Sequence, residues 1–364
     1  MNINRLDPDF RAELAWKLFM KHRAIREHNS QQDHPFTHYT GILTLQCMAR
    51  FAVTRKDDAL LDALRETLVP FIRGECTRFW ASFKNYFCGG NATAYLHRRG
   101  HLPGADEAIR HYGEELMQEA PRSKEGVFSY KWRDDKEGIW IDAAFAVVPF
   151  LLNAGLALDE PEWIDEACHQ VLAMFDILRD PDNGLLHQSR GLVGPGLITG
   201  DHWSRGNGWG VLAAAELVEG LPGDHPRRPA VESAFTDLMQ ACLRYRTEEG
   251  LWCQEMTMPK SYVETSGSGL ILFGLSVGLQ KGLLGDDARA AFEKGARAFF
   301  CYVTENADVF HTCRGCNSPG NGRVEDYLQV GPVRNDGHAF GPAILVLDQM
   351  ERQAQWLSPP KEEN

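Results

Sequence analysis

The chain is poor in the features that would place it outside the ordinary globular enzymes. Its nine cysteines are odd in number and scattered from Cys47 to Cys316, which argues against a disulfide framework. Only one CxxC occurs, Cys313-Arg-Gly-Cys316 with His311 just before it. A structural zinc site needs four ligands and no second pair lies nearby in sequence, so no metal is expected there. Basic residues are outnumbered, 38 Lys and Arg against 50 Asp and Glu, for a formal net charge of −12. That balance disfavours nucleic acid as the main partner. It leaves room for an anionic ligand, because a local Arg/His cluster reverses the field inside a cleft. Long hydrophobic runs are absent: the stretch 143–158 is too short and wrongly flanked to span a bilayer, so no membrane partner is expected. Met1-Asn-Ile-Asn-Arg-Leu-Asp7 shows no basic start leading into an apolar run. The expected location is therefore cytoplasmic, although a chain trimmed of a leader would read the same.

Alternating stretches long enough for strands are also few. What fills the chain instead is helix. Periodicity and turn signals predict about twelve, over 7–28, 41–51, 57–71, 91–97, 105–117, 141–158, 161–178, 208–221, 228–245, 268–283, 286–303 and 338–353. Some are amphipathic and charged, such as Pro161-Glu-Trp-Ile-Asp-Glu-Ala-Cys-His-Gln-Val-Leu172. Six others are apolar nearly all round and enter through small residues, at Tyr39-Thr-Gly, Gly89-Gly-Asn, Asp142-Ala-Ala, Gly206-Asn-Gly, Ser266-Gly-Ser and Asp336-Gly-His. A helix apolar on all sides is buried on all sides. These entrances recur roughly every 50 to 70 residues, most with a charged helix between them, the pattern of repeated helical hairpins. The expected architecture is an all-α (α/α)6 toroid, one domain over 1–364 with a short polar tail from about 357. The six entrances would line one mouth of the ring.

The densest chemistry lies in Asp201-His-Trp-Ser-Arg-Gly-Asn-Gly-Trp209, which carries a carboxylate, an imidazole, two indoles and a guanidinium. Arg offers a rigid fork to a carboxylate and Trp a flat face to a sugar ring. Glycines 206 and 208 would let a ligand approach the backbone. Together they suggest a pocket for an acidic sugar. Other entrances converge on it: Gly138-Ile-Trp-Ile-Asp142, His187 after the Asp-Pro-Asp-Asn-Gly turn, and Val263-Glu-Thr-Ser-Gly-Ser268. Each residue also has a plainer reading. Asp142 could cap a helix, Trp203 and Trp209 could be core, His187 and His202 could be satisfied structural histidines, and Glu264 could brace its loop.

In Gly-Ile-Trp-Ile-Asp142, Trp203-Ser-Arg-Gly-Asn-Gly-Trp209, Glu264-Thr-Ser-Gly-Ser and Asn335-Asp-Gly-His-Ala-Phe-Gly341, the chain resembles glycoside hydrolase family 105, the unsaturated rhamnogalacturonyl and glucuronyl hydrolases, with family 88 as its cousin. The motifs follow the family's order over roughly residues 35 to 352. The resemblance implies an (α/α)6 barrel that removes a 4,5-unsaturated uronic acid from the non-reducing end of lyase-generated oligosaccharides. It does so by hydrating the enol ether, with no metal or organic cofactor. By motif, Asp142 matches the general acid/base, and Trp140, His187, Trp203, Arg205 and Trp209 match residues lining the substrate pocket. His202, Asn91 and Glu264 join them as candidates for substrate contact.

An acid in that role must be protonated, whereas a free Asp has a pKa near ~3.9 and is only about 1% protonated near pH 6. Burial among Trp140, Ile141 and Phe145 is expected to raise it. Arg205 too close would lower it, so Arg205 is assigned to the substrate. The family usually carries a second Asp before the second inner helix. Here Asn85-Tyr-Phe-Cys-Gly-Gly-Asn-Ala-Thr93 holds no carboxylate, and Asn91 cannot share a proton as an acid does. Two alternatives stand beside the main reading. One is a two-carboxylate hydrolase of saturated uronides, with Glu264 facing Asp142 across about 5 to 9.5 Å. The other is a toroid that binds acidic sugars without turning them over.

Overall fold

A computed structural model describes residues 7–29, 36–75, 81–82, 87–88, 90–133, 136–314 and 323–357. Six helices form its inner ring: α2 (Tyr39–Arg55), α4 (Asn91–Arg98), α6 (Asp142–Leu158), α8 (Ser204–Gly220), α10 (Thr265–Gln280) and α13 (Phe340–Leu357). Each packs on the next, and α13 packs back on α2 to close the circle. In α8 every residue from Ser204 to Val218 is buried, and in α10 every residue from Thr265 to Leu279. Their all-round apolar sequence permits nothing else.

An outer layer of amphipathic helices covers the ring. It comprises α1 (Pro8–Asn29), α3 (Asp58–Ile72), α5 (Asp106–Glu119), α7 (Pro161–Leu178), α9 (Arg228–Arg244) and α11 (Asp286–Phe299). These pack on α13, α2, α6, α6, α8 and α10 respectively, the arrangement of an (α/α)6 toroid. Short left-handed turns reverse the chain between layers. Asp159, at φ 57°, ends α6, and Pro161 then starts α7 where its missing N–H costs nothing. Lys56, at φ 56°, ends α2, and the Asp57 side chain caps α3 by accepting from Leu60 N. No helix among the described residues is long and apolar enough to cross a membrane.

The structure departs from the sequence reading at several helix bounds and in its short strands. Helix α8 begins at Ser204, not 208, and α10 at Thr265, not 268, so Gly206, Gly208, Ser266 and Gly267 lie inside first turns. The reason lies just upstream: extended Trp203 leads into α8, while the Glu264 carboxylate accepts from Ser266 N and Gly267 N and so starts α10 early. Short strands also occur between the helices, which the sequence reading had not placed. The pairs β1 (Ala81–Ser82)/β2 (Phe87–Cys88) and β6 (Thr312–Cys313)/β7 (Pro332–Val333) are minimal. The antiparallel sheet β3 (Tyr130–Arg133), β4 (Lys136–Trp140), β5 (Ser189–Arg190) is larger and delivers the chain directly into α6. A single turn, α12 (Val324–Tyr327), precedes α13. Cys316, Asn85, Tyr86, Gly89 and the expected tail beyond 357 lie outside the described residues.

The ring's interior is polar as well as apolar. Arg50 of α2, fully buried, pairs with Glu216 of α8 at 2.9 Å and with Glu219, and lies 4.0 Å from Asp348 of α13. Its guanidinium also lies over the Phe273 ring of α10, at 4.8 Å. Gln46 donates to Glu216 at 2.7 Å, and Asn91 of α4 donates to Gln46 at 2.9 Å. Arg352 reaches Glu219 at 2.7 Å and Asp348 at 3.2 Å. One charge cluster thus joins α2, α8 and α13, with α4 attached through amides. Truncating one member of such a cluster leaves buried charge without compensation. Arg50→Met is expected to lower unfolding free energy by about 3–5 kcal/mol, measured by urea denaturation.

Candidate functional site

The starts of the inner helices meet at one end of the ring. Gly267 of α10 sits so close to α8 that a Cβ there would come within 2.5 Å of Arg205 N, and only glycine fits. His338, just before α13, hydrogen-bonds Tyr39 at the start of α2 at 2.5 Å. Asn91, first in α4, donates to Phe145 O of α6 at 3.2 Å. Gly206 and Gly208 serve the same packing rather than ligand approach, because their Cβ positions would meet Trp203 at 3.1 Å and Leu270 at 2.9 Å.

Asp142 takes the first position of α6. The helix cap itself falls on Ile141, which makes no side-chain cap. The Asp142 side chain is partly exposed, yet its Oδ2 is sealed from solvent and has no hydrogen-bond partner among the described residues. Burial raises its pKa to about 6, against the opposing pull of Arg205, of its own backbone N–H and of the Trp209 indole. The Trp209 N–H lies near enough to favour the carboxylate but makes no well-formed hydrogen bond, so burial wins.

The i, i+4 spacing of Arg205 and Trp209 places both on one face of α8. Trp209 is fully buried and stacks on Phe145, ring centroids 4.5 Å apart. The Arg205 guanidinium, also fully buried, lies over the Trp203 ring at 4.4 Å. Its Nη1 donates to Ser266 Oγ at 2.9 Å and to Cys313 O at 2.7 Å, and Glu264 stands 3.9 Å away. Burial alone would lower the Arg205 pKa, but Cys313, Glu264 and Asp336 hold it raised and the residue charged. Its Nε and Nη2, together with the Trp203 and Trp209 indole nitrogens, are sealed donors without partners among the described residues. Buried donors of that kind are rare in folded proteins. Four of them beside a protonatable acid suit an oxygen-rich anion.

Glu264 is fully committed. It accepts from Ser266 N, Ser266 Oγ, Gly267 N, Ser204 Oγ and Cys313 N, all between 2.6 and 3.3 Å. With its lone pairs filled it braces Arg205, and none remains for a second catalytic carboxylate. Asn91 is buried, with its amide donating to Gln46 and Phe145 and its Oδ1 unpartnered. Trp140, at the end of β4, is the one candidate Trp that is partly exposed.

His187 and His202 are brought together, ring centroids 4.8 Å apart, around Asp180 rather than around Asp142. Burial and the neighbouring His202 lower the His187 pKa. For His202, burial pulls the same way but Glu255 and Asp180 outweigh it, and its pKa is raised.

Several neighbours escaped the sequence reading. Asp336, His338 and Tyr39 form a hydrogen-bonded chain that faces Arg205, with His338 Nδ1 2.5 Å from Asp336 Oδ1. All three lie in helix-entrance motifs, which was the available signal. Asp201 is a second buried acid whose pKa is raised to about 6, by burial and by nearby Glu255.

A buried acid of this kind weighs on stability with a definite sign. Asp142 titrates near 3.8 when unfolded and about 6 when folded, so folding takes up a proton between those values. Its neutral form costs nothing at low pH. As pH rises from about 4 to 6 the protein loses stability, to a ceiling of about 3 kcal/mol, reduced by the exposed edge of the side chain. Asp142→Asn is therefore expected to raise the melting temperature at pH 8 and to raise it only about a third as much at pH 4.5, as read by calorimetry.

Comparison with known proteins gives concordant results. The signature of Glycosyl Hydrolase Family 88 matches residues 12–354. An unsaturated rhamnogalacturonyl hydrolase of Bacillus subtilis (strain 168) is 25% identical over 265 residues, 71% of this chain and 74% of that protein. A possible member of family GH105 from Klebsiella pneumoniae subsp. pneumoniae MGH 78578 superposes with a TM-score of 0.84 at 18% identity, over 96% of this chain and 95% of that one. The unsaturated glucuronyl hydrolase of Bacillus sp. GL1 superposes with a TM-score of 0.67 at 15% identity, over 94% and 97% of the two chains.

Proposed function

Because the chain belongs to glycosyl hydrolase family 88, we propose that it removes a 4,5-unsaturated uronic acid from the non-reducing end of small acidic oligosaccharides by hydrating the enol ether. The observation that carries this reading is a buried acid with pKa about 6 beside a guanidinium that keeps unpartnered N–H groups. The first supplies a proton, and the second recognises a uronate.

In this reading Asp142 gives its proton to C4 and the charge that develops at C5 is quenched by water, whose spare proton returns to the Asp142 carboxylate. One group thus acts as acid and then base. The hemiketal formed at C5 opens and releases the remaining sugar. Arg205, already fixed by Ser266, Cys313 O and Glu264, meets the uronate carboxylate through Nε and Nη2 without further ordering. The Trp203 and Trp209 N–H groups are free to donate to sugar oxygens, and Trp140 offers a ring face at the entrance. Asn91, whose Oδ1 is an unpartnered acceptor, suits a hydroxyl or a water.

The test follows ultraviolet absorbance, since the conjugated enol ether absorbs and its hydrated product does not. With a lyase-generated unsaturated oligosaccharide mixture, Asp142→Asn is expected to lose about 10²–10⁴-fold in kcat. The wild-type rate should hold below pH 6 and fall about tenfold per unit above it, because the acid form of Asp142 is then depleted. Full activity in Asp142→Asn would refute the assignment.

A further inference from the structure

Tyr39, His338 and Asp336 form a chain of three side chains that ends at the mouth of the ring. Tyr39 is the first residue of α2, which stands three helices from α8 in either direction around the circle. Its side chain is partly exposed and comes within the field of Arg205 from across the mouth. A sugar anchored on Arg205 is therefore within reach of the Tyr39 hydroxyl. Behind it the chain is firmly held. Asn335, at φ 58°, accepts from Val309 N at 2.9 Å and donates to Asp308 at 2.6 Å, which pins the turn that carries Asp336. The Asp336 Oδ1 accepts from His338 N at 3.0 Å and lies 2.5 Å from His338 Nδ1.

These contacts decide which way each group donates. Burial alone would raise the Asp336 pKa, but His338 and Arg205 outweigh it and hold the carboxyl well below the usual carboxylate range. Asp336 is thus an ionised acceptor, and His338 Nδ1 carries the hydrogen between them. Burial, and then Arg205, lower the His338 pKa against the pull of Asp336 and Glu264, so the ring is neutral and owns only that one hydrogen. Its Nε2 is a bare lone pair, and the hydrogen in the 2.5 Å contact with Tyr39 is the hydroxyl's own. Donation runs one way, from Tyr39 to His338 to Asp336. Toward any further partner the Tyr39 oxygen can only accept. The groups facing it are of the opposite kind, since Arg205 Nε and Nη2 and the indole nitrogens of Trp203 and Trp209 are donors. They suit a carboxylate, whereas the hydroxyl hydrogens of a sugar need acceptors, and Tyr39 supplies one.

We propose that Asp336 and His338 are positioning residues that lock Tyr39 as a hydrogen-bond acceptor, so that the pocket selects an unsaturated uronate whose ring hydroxyl facing Tyr39 is unsubstituted. The inference rests on the acidic-sugar reading of the pocket and adds to it a class of substrate. An ether, acyl or sulfate ester in place of the hydroxyl hydrogen sets oxygen against oxygen, and the Tyr39 acceptor is left unmet. A tyrosine hydroxyl free to rotate would answer such a group by donating to it. One tied to His338 does not.

The test measures binding by calorimetry on the full chain carrying Asp142→Asn, so that the sugar is held and not consumed. The probes are an unsaturated uronyl disaccharide and its 2-O-methyl and 3-O-methyl ethers. One of the two ethers is expected to bind about 10-fold more weakly than the parent. Adding His338→Phe should close most of that gap by strengthening the ether, because the released hydroxyl can donate to it; structural damage would weaken both sugars instead. Adding Tyr39→Phe should narrow the gap from the other side, by weakening the parent. A gap unchanged in both variants, or no gap for either ether, overturns the proposal. Should a variant fail to fold, the 15N shifts of His338 in the unaltered chain decide. A protonated Nδ1 with a bare Nε2 is required, and a protonated Nε2 overturns the relay. Hydration is read separately, as loss of ultraviolet absorbance by wild type. Its failure with the gap intact removes the reaction and keeps this recognition, turnover without a gap does the reverse, and no binding of the parent overturns both.

Discussion

Everything at the mouth of this ring depends on charges neutralised at its centre. Six helices that are buried on every side leave little water to solvate what they enclose, so each enclosed charge must find its counter-charge in the protein. Arg50 meets that demand for Glu216, Glu219 and Asp348, tying together α2, α8 and α13. The cluster couples geometry to identity, because only one rotational setting of the three helices brings those groups into contact. Asn91, hung from the cluster through Gln46, carries that setting up to the start of α4 and to the first turn of α6.

The mouth itself balances two opposed electrostatic demands. A proton donor has to keep its proton, whereas a site for an acidic sugar has to be positive. Asp142 and Arg205 sit close enough to interact, and the guanidinium pulls the carboxyl toward ionisation. Two features limit that pull. Glu264 stands 3.9 Å from the Arg205 Nη1 and offsets part of its charge, and Asp142 Oδ2 is sealed in a place where desolvation dominates. Glu264 is thus indirectly a setting for the acid. It fixes the guanidinium and softens its charge while taking no further part.

Much of this was legible from residue order alone. The six small-residue entrances marked the inner helices because close packing and all-round burial both leave compositional traces, and Gly267 against Arg205 N shows why small residues were required. For Asp142, position at the head of an apolar helix suited a cap and an acid alike, and the motif resemblance chose the acid. The rest depended on contacts between segments remote in sequence. Nothing local to Glu264 announced that Ser204, from another helix, and Cys313, from a later strand, would fill its lone pairs. Nothing local to His202 showed that it would turn to Asp180 and Glu255. The early start of α8 was missed because glycine at 206 and 208 argues against helix on propensity, and tertiary packing overrode it. The β3–β4 hairpin was too short and too charged to betray itself by alternation.

Closure of the ring through α2 and α13 has a consequence for how the protein comes into being. These two neighbours are separated by nearly the whole chain, and Arg11 and Arg55 at one end both reach Glu351 at the other. During synthesis the first inner helices emerge long before their last neighbour exists. Until α13 arrives, one flank of α2 and one of α10 stand uncovered, and Arg50 lacks Asp348. The nascent chain is then an open crescent with an apolar seam, a form that invites association with other chains. Arrival of α13 is the step that completes the circle, so closure waits on the last inner helix.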